Sequence, residues 1–156
     1  MPLSFRSVAP SELSRFEALV IDAFEPITWA RKVDELYGPL NGKNWRERWR
    51  LRLANIFETQ ILLAGEVDGE PVAFASATLD SAAALGYIDL LAVGRRFQGK
   101  GYGRAMLRGM LRHLKEKGAR YAHLDCMTTN EAGNNLYRSE GFTEVARHIR
   151  WFIRIP

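Results

Sequence analysis

Residues 93–104, from Val93 to Arg104, have the sequence VGRRFQGKGYGR, and this stretch decides what the chain can be. It follows an apolar run, residues 87–93, that is typical of a buried strand, and it precedes residues 105–114, whose apolar positions have helical spacing. A strand, a glycine-rich loop and a helix aim several backbone N–H groups at one point, at the positive end of the helix dipole. Glycines at 99, 101 and 103 remove the Cβ atoms that would hold an anion away. The stretch therefore predicts a phosphate cradle.

Two common phosphate-binding loops do not fit this stretch. A P-loop needs four residues between its glycines and a Lys-Ser/Thr pair after the second, and neither is present. A dinucleotide fingerprint needs Gly-x-Gly-x-x-Gly early in a βαβ unit, whereas Gly103 follows Gly101 one residue too soon and the loop lies late in the chain.

A second stretch, residues 130–142 with the sequence NEAGNNLYRSEGF, follows one helix and one strand later. The pattern Gln98-x-x-Gly101-x-Gly103 resembles the acyl-CoA-binding signature of the GNAT superfamily of N-acetyltransferases. Residues 130–142 resemble the same family's Asn-x-x-Ala-x-x-Leu-Tyr-x-x-x-Gly-Phe segment, with Gly133 in the place of the usual alanine. The resemblance covers residues 61–152, and the preceding residues match only in the order of their elements.

The resemblance implies an α/β fold of the mixed α+β type in one domain, residues 1–156. We expect about six to seven strands, with a central parallel pair at 85–93 and 121–127 that splays to admit a pantetheine arm, and about four flanking helices. Residues 85–142 would form the acyl-CoA-binding core, and residues 26–58 a variable acceptor-side segment.

The resemblance also implies the cofactor, acetyl-CoA or coenzyme A, and the residues that hold it. Backbone groups near the end of the central strand would pair with the pantetheine, the loop would hold the pyrophosphate, and residues of the 130–139 helix would contact the arm. These residues are Leu91, Ala92, Val93, Arg95, Arg96, Gln98, Gly99, Lys100, Gly101, Tyr102, Gly103, Arg104, Asn130 and Tyr137. No metal is expected, because the three histidines lack metal-ligand spacing.

Apolar periodicity and turn residues predict the other elements. Residues 3–8 alternate as a strand, and Pro10-Ser11-Glu12 opens a helix that Pro26 ends. Asp68-Gly69 joins two strands, 61–67 and 71–79, in a hairpin. Residues 102–117 form a helix with Gly118 as its C′ residue. After the 130–139 helix, residues 142–146 and 148–155 are predicted to close the chain as strands.

Composition sets the class of protein. A chain of 156 residues, 47% hydrophobic and 26% charged, suits one globular domain with a core of its own. No apolar run is long enough for a membrane span, and the first residues lack the build of a signal peptide. A single cysteine, Cys126, allows no internal disulfide and favours the cytoplasm.

Basic residues are concentrated between positions 94 and 120. This stretch contains nine of them and a single acid, Glu116. Arg104, Arg108 and Arg112 recur every fourth residue, which is typical of a solvated helix face. Arg95, Arg96 and Lys100 flank the glycine loop, where a phosphate role is favoured. Aromatic residues are not interleaved with these charges, which disfavours nucleic acid as a partner.

Asp89 lies within a run that is otherwise suited to burial. Strand alternation places it on the face of Leu91 and Val93, opposite Ile88, Leu90 and Ala92. An acid in such a run is paired, solvated or functional. By resemblance it would act as general base, through a water molecule because Asp is one methylene shorter than the family's glutamate; a structural ion pair is the alternative.

Two residues of the predicted 130–139 helix have both a structural and a chemical interpretation. Tyr137 could simply pack, but the matching tyrosine of the family returns a proton to the departing thiolate, which a phenol can do. Asn130 caps its helix and, by resemblance, also bonds the cofactor arm. Cys126 is predicted to be a packed thiol, because no His or Asp is placed to activate it.

The segment 29–57 is aromatic and is broken by glycine and proline. Its tryptophans are interpreted as core anchors, with a role in roofing the acceptor pocket as the alternative for Trp29 and Trp49. Together these patterns predict an N-acetyltransferase in which a primary amine, of a small molecule or a peptide, attacks acetyl-CoA directly in a ternary complex. A catalytically silent acyl-CoA sensor is the rival, and a homodimer is compatible with the sequence.

Overall fold

A five-stranded mixed sheet forms the centre of the computed structural model, which describes all residues from Met1 to Pro156. Its strands are β1 (Ser4–Ser7), β2 (Ile61–Val67), β3 (Glu70–Asp80), β4 (Leu85–Val93) and β5 (Tyr121–His123), in the order β1-β2-β3-β4-β5. The first four are antiparallel, and β4 and β5 are parallel. The predicted hairpin at Asp68-Gly69 is confirmed, with both residues at positive φ.

Five helices cover the two faces of the sheet. They are α1 (Leu13–Phe24), α2 (Ala30–Tyr37), α3 (Trp45–Thr59), α4 (Tyr102–Glu116) and α5 (Glu131–Ser139), with single 3₁₀ turns at Pro10–Glu12 and Arg95–Phe97. The short helix α2 was not predicted separately. None of the helices has the length and apolar character that crossing a membrane requires.

Each face of the sheet has its own hydrophobic core. One core packs α1 and α3 against the sheet around Phe16, Leu53 and Phe74, and the aromatic rings of Phe57 and Phe74 stack at 5.2 Å. The second core packs α4 on the opposite face through Met106, Met110 and neighbouring residues. The mixed sheet between helical layers confirms the predicted fold class.

A close backbone approach fixes the position of α4. Gly109 lies on its buried face, and a Cβ atom there would meet the ring of Phe5 in β1 at 2.5 Å. Glycine therefore lets α4 lie close to the sheet, although it weakens a helix interior. Because the glycine loop leads directly into α4, this contact also places the loop.

A β-bulge in β4 corrects the predicted orientation of Asp89. Ser76 of β3 pairs with Leu90, and the next residue, Ala77, pairs with Ile88, so Asp89 is the extra residue that has no partner on β3. An extra residue shifts the alternation of side chains by one position. Asp89 consequently lies on the α3 face together with Leu90, and not with Leu91 and Val93 as predicted.

The five apolar strand residues around Asp89 also divide differently from the prediction. Ile88, Leu91 and Val93 pack toward the core of α4, while Leu90 and Ala92 belong to the core of α1 and α3. Simple alternation had grouped Ile88 with Leu90 and Ala92, which is wrong.

The end of the chain differs most from the prediction. β5 ends at His123, not at residue 127, and residues 142–146 and 148–155 form no strands, so that the sheet has five strands and not six or seven. Apolar alternation indicates that a segment can form a strand, but a strand exists only where a neighbouring edge accepts its hydrogen bonds. None of the 95 backbone hydrogen bonds involves a residue after Phe142.

Candidate active site

The loop between β4 and α4 has the geometry of an anion site. Gly99 and Gly101 have φ angles of 78° and 85°, and Gly101 is the N-cap residue of α4 in the left-handed conformation. The N–H groups of residues 99–104 donate to no backbone or side-chain acceptor of the chain, and the first helical bond comes from Ala105 to Gly101. Six consecutive donors therefore lie free at the positive end of a helix dipole.

A slot opens beside this loop because β4 and β5 separate. They pair only over Leu85–Tyr87 and Tyr121–His123, so the rest of the β4 edge has no neighbouring strand. A Cβ at Gly103 would point between Val93 and Leu136, at 3.8 and 3.7 Å. Such a Cβ would be in ordinary van der Waals contact with both side chains, so position 103 lies between the end of β4 and helix α5. The side chain of Gln98 donates from Nε2 to the carbonyl of Val93 at 3.0 Å, across the mouth of the loop.

The arginines around the loop are bound by acids of the chain itself. Arg95 donates from Nε to the carbonyl of Asp22 at 2.9 Å and lies 3.6 Å from a Glu25 carboxylate oxygen, while Arg96 pairs with Glu70. Lys100 is exposed and forms no ion pair, and it is the loop cation that has no carboxylate partner. Arg95 and Arg96, predicted to bind phosphate, are thus held toward α1 and β3.

Helix α4 carries a second set of basic residues, and two of them join it to α5. Arg104 and Arg108 both bind Glu140, with Arg108 Nε at 2.8 Å, so they are not simply solvated. The guanidinium of Arg108, and then that of Arg104, holds the pKa of Glu140 below its usual range. This contact ties the N-terminal half of α4 to the far side of the slot.

Asp89 is held by two residues that the sequence did not indicate. Arg52 of α3 donates from Nη2 to one carboxylate oxygen at 2.7 Å, and Gln60 donates from Nε2 to the other at 2.9 Å. The Arg52 guanidinium also lies over the ring of Trp49 at 4.8 Å. No periodicity in α3 could have revealed this pairing, because the bulge determines which face Asp89 occupies.

The carbonyl group of the Gln60 side chain accepts no hydrogen bond. Its Oε1 atom is buried and makes no hydrogen bond within the chain. A buried carbonyl without a donor is costly, and an ordered water molecule would satisfy it. The Gln60 side chain therefore offers one place, close to Asp89, where a polar hydrogen can bind.

Tyr87 precedes Asp89 on the same face of β4 and forms a further polar contact. Its hydroxyl donates to Asp125 at 3.0 Å, and its ring lies 4.9 Å from that of His123. Burial, followed by the hydrogen bond to Asp125, raises the pKa of Tyr87 to about 12. Tyr87 thus remains protonated, and the contact joins β4 to the segment that follows β5.

Tyr137 lies on α5 and packs against the core of α4. Its ring centroid is 5.8 Å from that of Phe142, and its hydroxyl makes no hydrogen bond within the chain. Burial raises the pKa of Tyr137 to about 12, with a smaller contribution from Cys126. The phenol is therefore a protonated, uncommitted donor.

Asn130 caps α5 as predicted, and its cap explains the glycine at position 133. Asn130 Oδ1 accepts from the Gly133 N–H at 3.1 Å, while its Nδ2 donates to no group of the chain. A Cβ at Gly133 would meet that Nδ2 at 2.6 Å and the sulfur of Cys126 at 3.1 Å. Burial raises the pKa of the Cys126 thiol, which fits a packed and unreactive cysteine.

The two tryptophans of the acceptor-side segment occupy different environments. Trp49 is buried, stacks on Phe24 at 4.9 Å and donates from Nε1 to Thr28 at 3.1 Å, so it is a core anchor. Trp29 is 40% exposed, and the Arg150 guanidinium lies over its ring at 4.3 Å. Trp29 is the one whose surface is open to a ligand.

The layered fold, the free edge of β4 and the amides at the start of α4 define an acyl-CoA-binding type of fold, and the comparisons agree. Residues 29–142 match the acetyltransferase (GNAT) family. The match spans most of the chain, and the chain belongs to this family. A mycothiol acetyltransferase from Nocardiopsis dassonvillei is 38% identical over 79 residues, which are 51% of this chain and 20% of that relative. The matched segment is therefore only a fifth of the relative's length.

Solved structures with similar folds cover nearly the whole chain. PaiA N-acetyltransferase from Thermoplasma acidophilum, in complex with coenzyme A, has a TM-score of 0.71 at 18% identity over 92% of this chain and 91% of that one. AAC(6')-Iy, in complex with the bisubstrate analogue CoA-S-monomethyl-acetylneamine, has a TM-score of 0.68 at 16% identity over 99% and 100% of the chains. At these identities the likeness establishes the fold.

Replacement of Gly101 by alanine should lower the affinity for coenzyme A at least tenfold, as measured by calorimetry. The added methyl meets no atom of the chain, but the φ of 85° becomes strained, and relief of that strain turns the amides away from their common point. Gly118→Ala is the matched control, because Gly118 follows α4 at the other end with a φ of 103° and equally open surroundings. Equal affinities in the two variants would contradict an anion site at the loop.

Proposed function

We propose that the protein transfers an acetyl group from acetyl-CoA to a primary amine, which attacks directly in a ternary complex. The observation that carries this proposal is the row of six unbonded amides at the start of α4, beside a strand whose edge is open. Membership of the acetyltransferase family supports it, as do the names of similar structures, among them a ribosomal-protein-alanine N-acetyltransferase from Brucella melitensis.

The residues of this chain fit the cofactor. The free amides from Gly99 to Arg104 would hold the pyrophosphate through charge-assisted hydrogen bonds, and Lys100 would add a free charge. Backbone groups of residues 91–93 would pair with the pantetheine amides as a strand pairs with its neighbour. Asn130 would contribute its free Nδ2 to the same arm. When bound, acetyl-CoA supplies the activated thioester that a neutral amine can attack.

Asp89 would accept the proton of the amine through a water molecule. Its two oxygens are held by Arg52 and Gln60, so it reaches the amine only through an intermediary. The unbonded Oε1 of Gln60 would orient that water, because it can accept one of the water's hydrogens. A strand amide near Leu91 would stabilise the oxyanion of the tetrahedral intermediate.

Tyr137 would donate its proton to the departing thiolate. A phenol with a pKa of about 12 is a weaker acid than free tyrosine. The burial that raises the pKa of Tyr137 also raises the pKa of a thiol in the same slot. The difference between the two pKa values is therefore largely preserved. A hydroxyl without a partner in the chain is free to turn toward the sulfur.

The acceptor-side segment favours an amine without a high positive charge. In the sequence its acids Asp34, Glu35, Glu47 and Glu58 are outnumbered by seven basic residues, and acids outside the segment pair with three of these, Arg46, Arg50 and Arg52. Asp34 is already bound by Arg48 and by the Trp45 amide, both at 2.7 Å, so it is not free to receive a cation. We therefore expect a monoamine, an α-amine or an amino compound that carries a carboxylate.

A panel of amines with acetyl-CoA tests the activity. We expect release of free thiol with at least one monoamine or amino-acid-like acceptor. Thiol detection combined with mass spectrometry of the product gives the result. Tight binding of coenzyme A without thiol release from any amine would contradict the proposal and identify an acyl-CoA sensor.

Tyr137→Phe should lower turnover about 10²–10⁴-fold with little change in the affinity for coenzyme A. Its melting temperature should be unchanged, because the hydroxyl makes no hydrogen bond within the chain. Tyr121→Phe removes an equivalent hydroxyl from an exposed position and is the control. Full turnover of Tyr137→Phe would show that the thiolate leaves without a proton from this residue.

Asp89→Asn and Arg52→Gln break the same ion pair. Comparing them distinguishes a catalytic role of Asp89 from a purely structural one. Asp89→Asn should lower turnover at neutral pH about 10²–10⁴-fold, and the loss should shrink at alkaline pH, where the amine is already neutral. Arg52→Gln keeps the carboxylate and should retain turnover within about tenfold. Equal losses in steady-state assays of the two variants would mean that Asp89 acts only as the partner of Arg52.

A further inference from the structure

Ser76 in β3 is fully buried, and its hydroxyl has no hydrogen-bond partner within the chain. Strand alternation places its side chain on the sheet face of α1 and α3. Phe74 belongs to the core on that face, whereas Ala75 and Ala77 belong to the core of α4. A buried hydroxyl without a hydrogen bond destabilises a fold, so a small polar ligand is expected beside Ser76.

Strand pairing brings the unbonded Oε1 atom of Gln60 to the same place. Gln60 directly precedes β2, and its amide reaches Asp89 in β4, so its side chain crosses the intervening strand β3. Ser76 is the β3 residue at this level, because it pairs with Leu62 on one side and with Leu90 on the other. Two of the three buried side-chain polar atoms that lack a partner in the chain therefore lie close together, beside the bulge in β4.

The chemistry of the two atoms indicates which ligand they share. The Asp89 carboxylate only accepts hydrogen bonds, so the Gln60 amide nitrogen faces it and the amide carbonyl faces away. The carbonyl can only accept, whereas the Ser76 hydroxyl can donate and accept. No direct hydrogen bond joins them, so the link between them must both donate and accept. Water has this chemistry, and buried water molecules are held by such otherwise unpaired groups.

We propose that Ser76 and Gln60 together hold an internal water molecule, and that Ser76 is through this water a positioning residue for Asp89. The water donates one hydrogen to Gln60 Oε1 and accepts the hydroxyl hydrogen of Ser76. These two bonds leave the water one hydrogen and one lone pair. The remaining hydrogen is directed to the Asp89 carboxylate, which is 13% exposed and can accept more than the bonds from Arg52 and Gln60.

The chemical consequence of this water rests on the proposed role of Asp89 as general base. The lone pair of the amine nitrogen forms the bond to the acetyl carbon, and a proton of that nitrogen passes to the free lone pair of the water. The water passes its own hydrogen to a carboxylate oxygen of Asp89 and is regenerated. A water held by the Gln60 carbonyl alone can rotate about that bond. The second bond, from Ser76, fixes the direction in which the proton moves.

Ser76→Ala tests the water site through the sign of the stability change. Removal of a buried hydroxyl without a partner raises the melting temperature, whereas removal of a hydroxyl that holds a water lowers it, because the water loses a hydrogen bond. We expect a lower melting temperature. Ser7→Ala removes an exposed hydroxyl from β1 and, as the control, should leave the melting temperature unchanged.

A high-resolution crystal structure is the second measurement of the water site. It should show an ordered water at about 3 Å from both Ser76 Oγ and Gln60 Oε1. A Ser76→Ala protein that melts at or above the wild-type temperature, or a crystal structure without a water shared by these two atoms, would overturn the site. Neither measurement needs a substrate, so both are distinct from a failure of the proposed function, which is seen as a wild-type chain that releases no thiol.

Turnover with an accepted amine tests the positioning role. Ser76→Ala should lower kcat at least about tenfold and leave the KM for acetyl-CoA within about twofold, because Ser76 lies on the α3 face and not at the glycine loop. In a Gln60→Met background, which already lacks the carbonyl, the same substitution should cost less than about twofold. Losses that multiply in the double variant, or full turnover of a folded Ser76→Ala protein, would overturn the role.

Discussion

Strand β4 has a neighbour on both edges over only three of its nine residues, and the rest of the structure depends on this. β3 pairs along almost its whole length, but β5 leaves it after Tyr87. Backbone groups in a folded interior require partners, so the open edge is stable only where solvent or a ligand supplies them. The glycine loop and the start of α4 follow β4 directly in the sequence. The open edge of the sheet and the unbonded amides are therefore adjacent in the chain.

The bulge in β4 adds a second constraint at the same place. One extra residue puts Asp89 and Leu90 on the same face, so a carboxylate lies at the border of the core formed with α1 and α3. A charge at that depth needs partners, and α3 provides Arg52 and Gln60. The stacking of Arg52 on Trp49 extends the contact into the core. Helix α3 is thereby coupled to strand β4.

Local patterns in the sequence predicted most of the fold, because they depend on neighbouring residues. The hairpin at Asp68-Gly69, the strand that ends at Val93 and the helix that ends before Gly118 all follow from turn residues and apolar spacing. The orientation of Asp89 could not be predicted, because a bulge is a matter of register between two strands. The partners of the loop arginines, Asp22, Glu25 and Glu70, are remote in sequence. Residues 148–155 have a strand's alternation, and whether they join a sheet depends on an edge elsewhere in the fold.

Main-chain atoms form the proposed anion site, and side chains contribute little to it. Most guanidinium groups nearby are already bound by acids of the chain, as Arg96 is by Glu70. The residue type is restricted by the positive φ at Gly99 and Gly101. The remaining loop positions are free to change, since any residue except proline carries the same N–H group. Mutation can therefore alter the surface charge and solubility of this region over long periods while the row of free amides persists.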